Sequence, residues 1–546
     1  FELLYAQGAH GSFTRSFQLV RDVAVALPYS GPGPFFWEIQ GLNRDGTRNP
    51  NLPVLLDLDS LIDYMIVIYY TGDGDAPITR SGTAVNNWYG GCNRNGGDGF
   101  HFFFHDAEHT LSRGLVDRTG PWPIGWGNFI RTQPLFVHQE LMMEPEYRLR
   151  FADRVRRYFF YNGLLTPTAA AARFRALAEQ LGYSQPDAGP MLAESARWGD
   201  SKKSPRSVAS ISYSGTTATA TLSGHGYVNG DTVYISGANQ PQYNGSFTIF
   251  NVTSNTFQYT MSGVPSGPAT GQITAFLVYS KNTWLNSVNN ELNNLFHNCT
   301  NVVLNQFRNA RRYSWDRTEL LAAPLYPATE APDFTVNGAA RYGGQVQPTD
   351  LIRFTAPAGT IYYTLDGSDP RLPGGAISPN AIQYTGAPIT LSRSTLIKAR
   401  ARSGSDWSAL SEAWFYVGTP ASAANLVITE INYNPPEPTA AELAALPGVT
   451  AQRFEFIELL NVASTWIDLT NVRFDRGIHF DFTAAGVTRL EPGQYLVLAA
   501  DPAAMAVRYP GVVVAGQFSG ALDNAGERLA LYNRAGQPIA DFSYED

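Results

Sequence analysis

Cysteine is almost missing from this chain, which has only Cys92 and Cys299 among 546 residues. The two lie far apart and match no metal-binding spacing, and whether they pair depends on whether the fold brings them together. Such scarcity fits a bacterial protein of any compartment. Charge is also sparse, at 16% of residues, and the net charge of −8 is spread along the chain. No basic patch stands out, which argues against a nucleic-acid partner. Nor is any apolar run long enough to span a membrane. The chain begins at Phe1 with neither an initiator methionine nor a signal peptide, so its beginning is expected to lie upstream.

What is present in quantity is glycine (50), proline (35) and aromatic residues (13%), the composition of a well-packed protein with many turns and much β structure. The length calls for three to five domains. An apolar run, LIDYMIVIYY (Leu61 to Tyr70), predicts a central helix opening at Pro53 with Asp57 and Asp59 early. An acidic loop, Gly72 to Pro77, follows. Between Leu135 and Gln180 the period turns helical, and Thr166-Pro167 gives a second start by a threonine cap with proline first. The run Arg148, Arg150, Arg154, Arg156 and Arg157 reads as a solvated helix face paired with acids, with phosphate binding as the alternative.

At about residue 207 the composition becomes Ser/Thr/Gly-rich with period-2 alternation and almost no charge, predicting a small all-β domain over 207–275. Asn229-Gly230-Asp231 and Asn244-Gly245 are expected as its hairpin turns. Helical pattern resumes after Lys281, so this β domain reads as an insertion. Two further β modules are expected over 333–417 and 424–546.

The chemistry concentrates in NNWYGGCNRNGGDGFHFFFHDAEH (Asn86 to His109): a glycine-rich loop, an apolar strand, then Asp106 and Glu108 between His105 and His109. A carboxylate at a strand end stands on a rigid element within reach of a metal or a proton. Histidine and carboxylate together also suit a hydrolytic zinc centre, although Asp106 and Glu108 share a face only if the strand continues. The blander reading is a structural acidic loop, with Asp73, Asp75, Asn86 and Asn87 as turn residues bonded to their own backbone. Gly90, Gly91, Gly96, Gly97 and Gly99 could cradle phosphate or simply turn a hairpin. Asp366, Asp369 and Arg371 read as turn and salt-bridge residues rather than a calcium site.

Several separated stretches, in order, resemble one family. PVLLDLDSLIDYMIVIYYTGDGDAP, NNWYGG, FHFFFHDAEHTL, LMMEPEYRLRFADRV and NVVLNQFR are similar to the kinase family of spore coat protein H (CotH). The resemblance implies a secreted, atypical kinase moving phosphate from ATP to protein Ser or Thr with Mg2+ or Mn2+. It places Asp106 at the metal-binding aspartate, Asn87 at the metal-coordinating asparagine, Glu108 as the second acid and Asp75, with Asp73 beside it, as the catalytic-loop acid. Where many members have Trp-Asp-x-Asp, this chain has His-Asp-Ala-Glu. The ATP-clamping lobe would lie before Phe1, so the chain by itself is expected to be inactive.

Two further stretches, IYYTLDGSDPR with TLIKARARSGSDWS, resemble the chitobiase/β-hexosaminidase C-terminal sandwich, an accessory domain. LVITEINYNPP, EFIELLNVAS and DLTNVRF resemble the lamin-tail domain, an immunoglobulin-like sandwich used for interaction or surface attachment. The expected fold is therefore multidomain α+β: a mainly helical kinase-like lobe (1–206 and 276–325) interrupted at 207–275, then immunoglobulin-like sandwiches at 333–417 and 424–546. The expected partners are a protein substrate and cell-surface or carbohydrate ligands of the C-terminal modules, at an extracellular or cell-surface location. The competing reading is a non-catalytic adhesion or scaffold protein that keeps the kinase-like fold.

Overall fold

The computed structural model describes residues 2–6, 34–79, 84–92, 98–111, 116–122, 133–185, 190–191, 205–278, 281–314 and 318–545. The chain divides into two compact units at Ala328/Thr329. Both are multidomain in build, rich in β-sheet with some helix.

In the first unit the central helix runs Leu58–Thr71, not from Pro53. The start is set by Asp57, whose carboxylate accepts the Ser60 amide at 2.9 Å and satisfies one of the helix's orphan donors. Residues before it instead bond to Ile39 and bridge to Phe100. Gly72 ends the helix at φ 62°, a conformation that costs glycine nothing. Nine of its side chains are buried, including Leu61, Ile62 and Met65 at 0% exposure, so this helix lies inside the unit.

Three strands form an antiparallel sheet in the order β1 (Glu2–Ala6), β2 (Trp88–Cys92) and β3 (Phe100–Phe104). Trp88 sits opposite Phe104 and Cys92 opposite Phe100, so the glycine-rich loop joins a hairpin. Gly96 and Gly97 lie outside the described residues. Gly90 is required by packing: a Cβ there would meet the Phe100 ring at 2.1 Å.

The stretch expected as two helices, the second starting at Thr166-Pro167, is three, Pro134–Leu141, Pro145–Phe159 and Pro167–Gln180, each with proline in its first turn. Thr166 caps the third through the Ala169 amide, as its sequence predicts. The arginine face is only partly solvated. Arg150 and Arg154 pair with Asp59 and Asp63 of the central helix, while Arg156 is 4% exposed and stacks on Phe160 and Tyr161. That pairing fastens helix to helix.

The inserted strands are β4 (Arg206–Ser207), β5 (Ser210–Ser214), β6 (Thr217–Thr221), β7 (Thr232–Ala238), β8 (Gly245–Phe250), β9 (Thr256–Thr260) and β10 (Gly271–Val278), in sheet order 4-10-7-8-9-6-5. β4 pairs with β10, so the insert's first and last strands are neighbours. The expected turns differ. Asn229-Gly230 opens β7 without joining paired strands, and Asn244-Gly245 ends a longer connection containing a 3-10 turn. After it come helices Lys281–Asn290 and Phe296–Arg308, joined by a π-helical turn. Cys299 lies in the second, with its thiol bonded to Tyr70 O; both cysteines are free and buried.

The second unit holds two β modules. One has its core around Phe334, Phe354, Ile397 and Phe415. The other packs a sheet containing Leu426–Asn432 and Phe456–Asn461 against one containing Glu527–Tyr532, around Ile457, Leu459, Phe474 and Leu529. In the first module Asp369 grips Arg400 in two bonds and Asp366 caps its own turn, the structural roles expected of both. No described helix is long and apolar enough to cross a membrane.

Candidate functional site

Three features converge where the central helix and β3 end and β2 begins. Gly72 releases the chain into the loop Asp73–Ile78. Asn87 immediately precedes β2, and His105 immediately follows β3. Because Trp88 and Phe104 are partners, Asn87 and the His105-Asp106 step leave the hairpin side by side. Two bonds tie the turn after β3 back to this loop: Gly74 N to His109 O and Leu111 N to Thr71 O.

The loop aspartates have different jobs. Asp73 is fully buried, and its Oδ1 accepts the amides of Asp75 at 2.8 Å and Ala76 at 3.2 Å. Its Oδ2 is buried without a hydrogen-bond partner, and burial raises its pKa above the ordinary carboxylate value. Asp75 is the outward one. Its Oδ2 accepts Asn86 Nδ2 at 2.6 Å and Asn87 Nδ2 at 3.0 Å. Both bonds fall on one oxygen, which leaves Oδ1 outside the clamp.

Asn87 is the most informative residue. A carboxylate only accepts, so the amide must turn its NH2 towards Asp75 and its carbonyl away. That carbonyl oxygen is buried, at a residue 1% exposed, and has no hydrogen-bond partner. Such an oxygen costs about 1–3 kcal/mol when left unsatisfied. Asn87, Asp106 and Leu111 also adopt φ of 50°, 55° and 59° without being glycine. Backbone held in this region concentrates at sites where geometry matters.

The acidic pair does not form a face. β3 stops at Phe104, and a 3-10 turn, Ala107–His109, replaces the continued strand. Asp106 stands exposed at the head of that turn and makes no capping bond. Glu108 is 55% exposed and faces His109, whose Nε2 lies 3.6 Å from it and 4.0 Å from Asp75 Oδ2. His105 approaches the Tyr89 hydroxyl at 3.4 Å. Among the described residues no group of three or more His, Cys, Asp or Glu is placed to hold a metal.

Arg118 was not visible as a site residue in the sequence. It is 2% exposed, and its guanidinium donates to Ile78 O at 2.5 Å and Ala76 O at 3.4 Å, pinning the loop that carries Asp75. A lone arginine in Val-Asp-Arg-Thr-Gly carries no local pattern, so only the fold could reveal it.

Comparison with known proteins places the C-terminal modules. Residues 419–546 match the family model of the Lamin Tail Domain, and residues 352–411 match the one described as Fn3 associated. The C-terminal region is thus immunoglobulin-like β structure. No curated protein matches the chain. Among solved structures it is similar to the phage phi92 endosialidase, at 14% identity over 55% of this chain and 43% of that one, with a TM-score of 0.13. It is also similar to the FN1–FN3 domains of chicken CNTN1, at 9% identity over 62% of this chain and 98% of that one, with a TM-score of 0.12. The chain spans less than half the length of the endosialidase, and superpositions this loose carry no argument about fold.

Proposed function

We propose that the first unit is a CotH-type phosphotransfer domain, in which Asp75, Asn87 and Asp106 form a site for ATP and a divalent ion. The observation that carries this reading is the free, buried carbonyl oxygen of Asn87, beside a carboxylate that its own NH2 holds in place. The donors fit magnesium or manganese in kind, since an amide oxygen and the Asp106 carboxylate are hard ligands. When bound, the ion supplies charge neutralisation for the transferred phosphoryl group. Asp75 is the base that accepts the acceptor hydroxyl's proton, at the oxygen outside the amide clamp. Asn86 and Asn87 orient it, and Asp73 with Arg118 fixes the loop from beneath. The immunoglobulin-like modules, the first of them of the chitobiase C-terminal type, act as surface-binding tails of a secreted protein.

A second reading, a non-catalytic extracellular scaffold, draws support from Glu108, which turns towards His109 rather than towards Asn87. Labelling of the full-length protein with γ-phosphate-labelled ATP and Mg2+ or Mn2+ separates the two. The kinase reading expects Asp75→Asn to lower incorporation by about a hundredfold or more, the usual range for losing a general base. Asp106→Ala should abolish it. Equal incorporation in wild type and both variants would remove the catalytic assignment.

A further inference from the structure

The inserted β domain takes no part in the reading above, and its outer face has an uncommon chemistry. Strand register fixes which side chains share that face. Ser212 lies opposite Thr219, Thr219 opposite Gln258, and Gln258 opposite Phe250, a row running across β5, β6, β9 and β8. Two residues further along β5, β6 and β9, in either direction, every outward position is Ser or Thr. The alternate residues of the same strands form the domain's core, with Ala218, Ala220, Phe257 and Tyr259 all at 0% exposure.

No outward position on β5 to β9 carries a charge. Solvated sheet faces usually do carry Lys, Arg or Glu, because charge keeps sheets from associating. The chain follows that custom elsewhere: Lys398 faces Glu412 and Arg528 faces Asp541 across neighbouring strands of the second unit. Neutrality here is therefore local. An anionic polymer would find no cation on this face, and a cationic one no anion.

Two rings interrupt the hydroxyl rows. Phe250 is 36% exposed where β8 pairs with β9, and Tyr234 is 37% exposed, lies opposite Ser246 where β8 pairs with β7, and stacks on Phe276 of β10 at 5.1 Å. The Gln258 amide is held in place, donating to Thr219 Oγ1 at 3.2 Å and accepting from Asn251 Nδ2 at 2.8 Å. Rings that can lie against C–H faces, hydroxyls that both donate and accept, and a complete lack of charge match a polymer with those same properties.

We infer that this face binds a neutral polysaccharide, with sugar rings over Phe250 and Tyr234 and sugar hydroxyls against the Ser/Thr rows. The test uses the whole chain on cellulose and chitin, and in gels containing soluble neutral glucan or anionic alginate. Wild type should be retained by at least one neutral polysaccharide and not preferentially by alginate. Phe250→Ala and Thr219→Lys, both at non-core positions, should each weaken retention by about tenfold or more, the scale of losing an aromatic anchor. An unchanged melting profile would confirm that both variants fold.

Tyr495→Ala, an exposed ring of the second unit, should leave retention unchanged. Lack of retention on every neutral polysaccharide overturns the inference, as does retention unaffected by Thr219→Lys. Loss with Tyr495→Ala alone would move the activity to the second unit and also overturn it. So would a wild-type dimer that Thr219→Lys converts to monomer, because the face would then be an interface between copies.

Discussion

Mild acidification should weaken the helical part of the first unit through one side chain, His138. It is fully buried, its Nδ1 lies 2.6 Å from the Tyr147 hydroxyl, and the rings of Tyr69, Tyr147 and Phe151 surround it at 5.5–5.7 Å. Burial lowers its pKa from 6.5 to about 3. The folded state therefore keeps it neutral, while the unfolded chain takes up a proton near pH 6.5. Stability is complete above that value and falls as pH drops towards 3. At 1.36 kcal/mol per pH unit, the loss between pH 7 and pH 5 is about 2 kcal/mol. His138→Phe keeps a ring in the space and removes the titration. It also orphans the Tyr147 hydroxyl, at about 1–3 kcal/mol, but that cost does not depend on pH, and adding Tyr147→Phe relieves it. Urea unfolding followed by helical circular dichroism reports mainly on this unit, which contains the long helices. The wild-type minus variant difference should shift by about 2 kcal/mol between the two pH values. An unchanged difference would refute the reasoning.

In the second unit, Asp468 is 2% exposed and accepts from Arg534 at 3.0 Å and from Ser394 at 2.7 Å, joining the two modules. Arg534→Ala should cost about 1.5–3 kcal/mol, the scale of a hydrogen bond to a charged group, because Asp468 keeps Ser394 and Thr470 as donors. Calorimetry should show a lower transition, and limited proteolysis should cut the 417–422 connection faster; an unaltered transition contradicts this. Replacing residues 206–278 by a short linker should leave the helices folded, since β4 and β10 are adjacent and the ends lie close. Loss of soluble expression on that deletion would count against an independent insert.

Much of the secondary structure was readable because its causes are local. The dense apolar run Leu61–Tyr70, the Thr166-Pro167 cap and the Ser/Thr alternation after residue 207 each write their element directly into neighbouring residues. Boundaries set by distant partners were not readable. The central helix starts at Leu58 because Asp57 caps it, and the preceding residues are bound to Ile39 and Phe100. Arg156 reads as a surface charge in the sequence because its stacking partners, Phe160 and Tyr161, leave no mark in its own spacing. At the site, the acids were found by composition, but their division of labour was not. Only the loop's hydrogen bonds separate the buried Asp73 from the amide-clamped Asp75, and only the end of β3 at Phe104 shows that Asp106 and Glu108 do not share a strand face.

The central claim is that the free Asn87 carbonyl and Asp106 hold a divalent ion beside Asp75. Mn2+ binding, read by electron paramagnetic resonance on the whole chain, tests it without requiring turnover. Asn87→Ala and Asp106→Ala should each weaken the Mn2+ site by about tenfold or more, in line with the loss of a ligand or its close support. Asn86→Ala, which removes only a second clamp on Asp75, should leave it intact. Equal Mn2+ affinity in wild type, Asn87→Ala and Asp106→Ala would contradict the account.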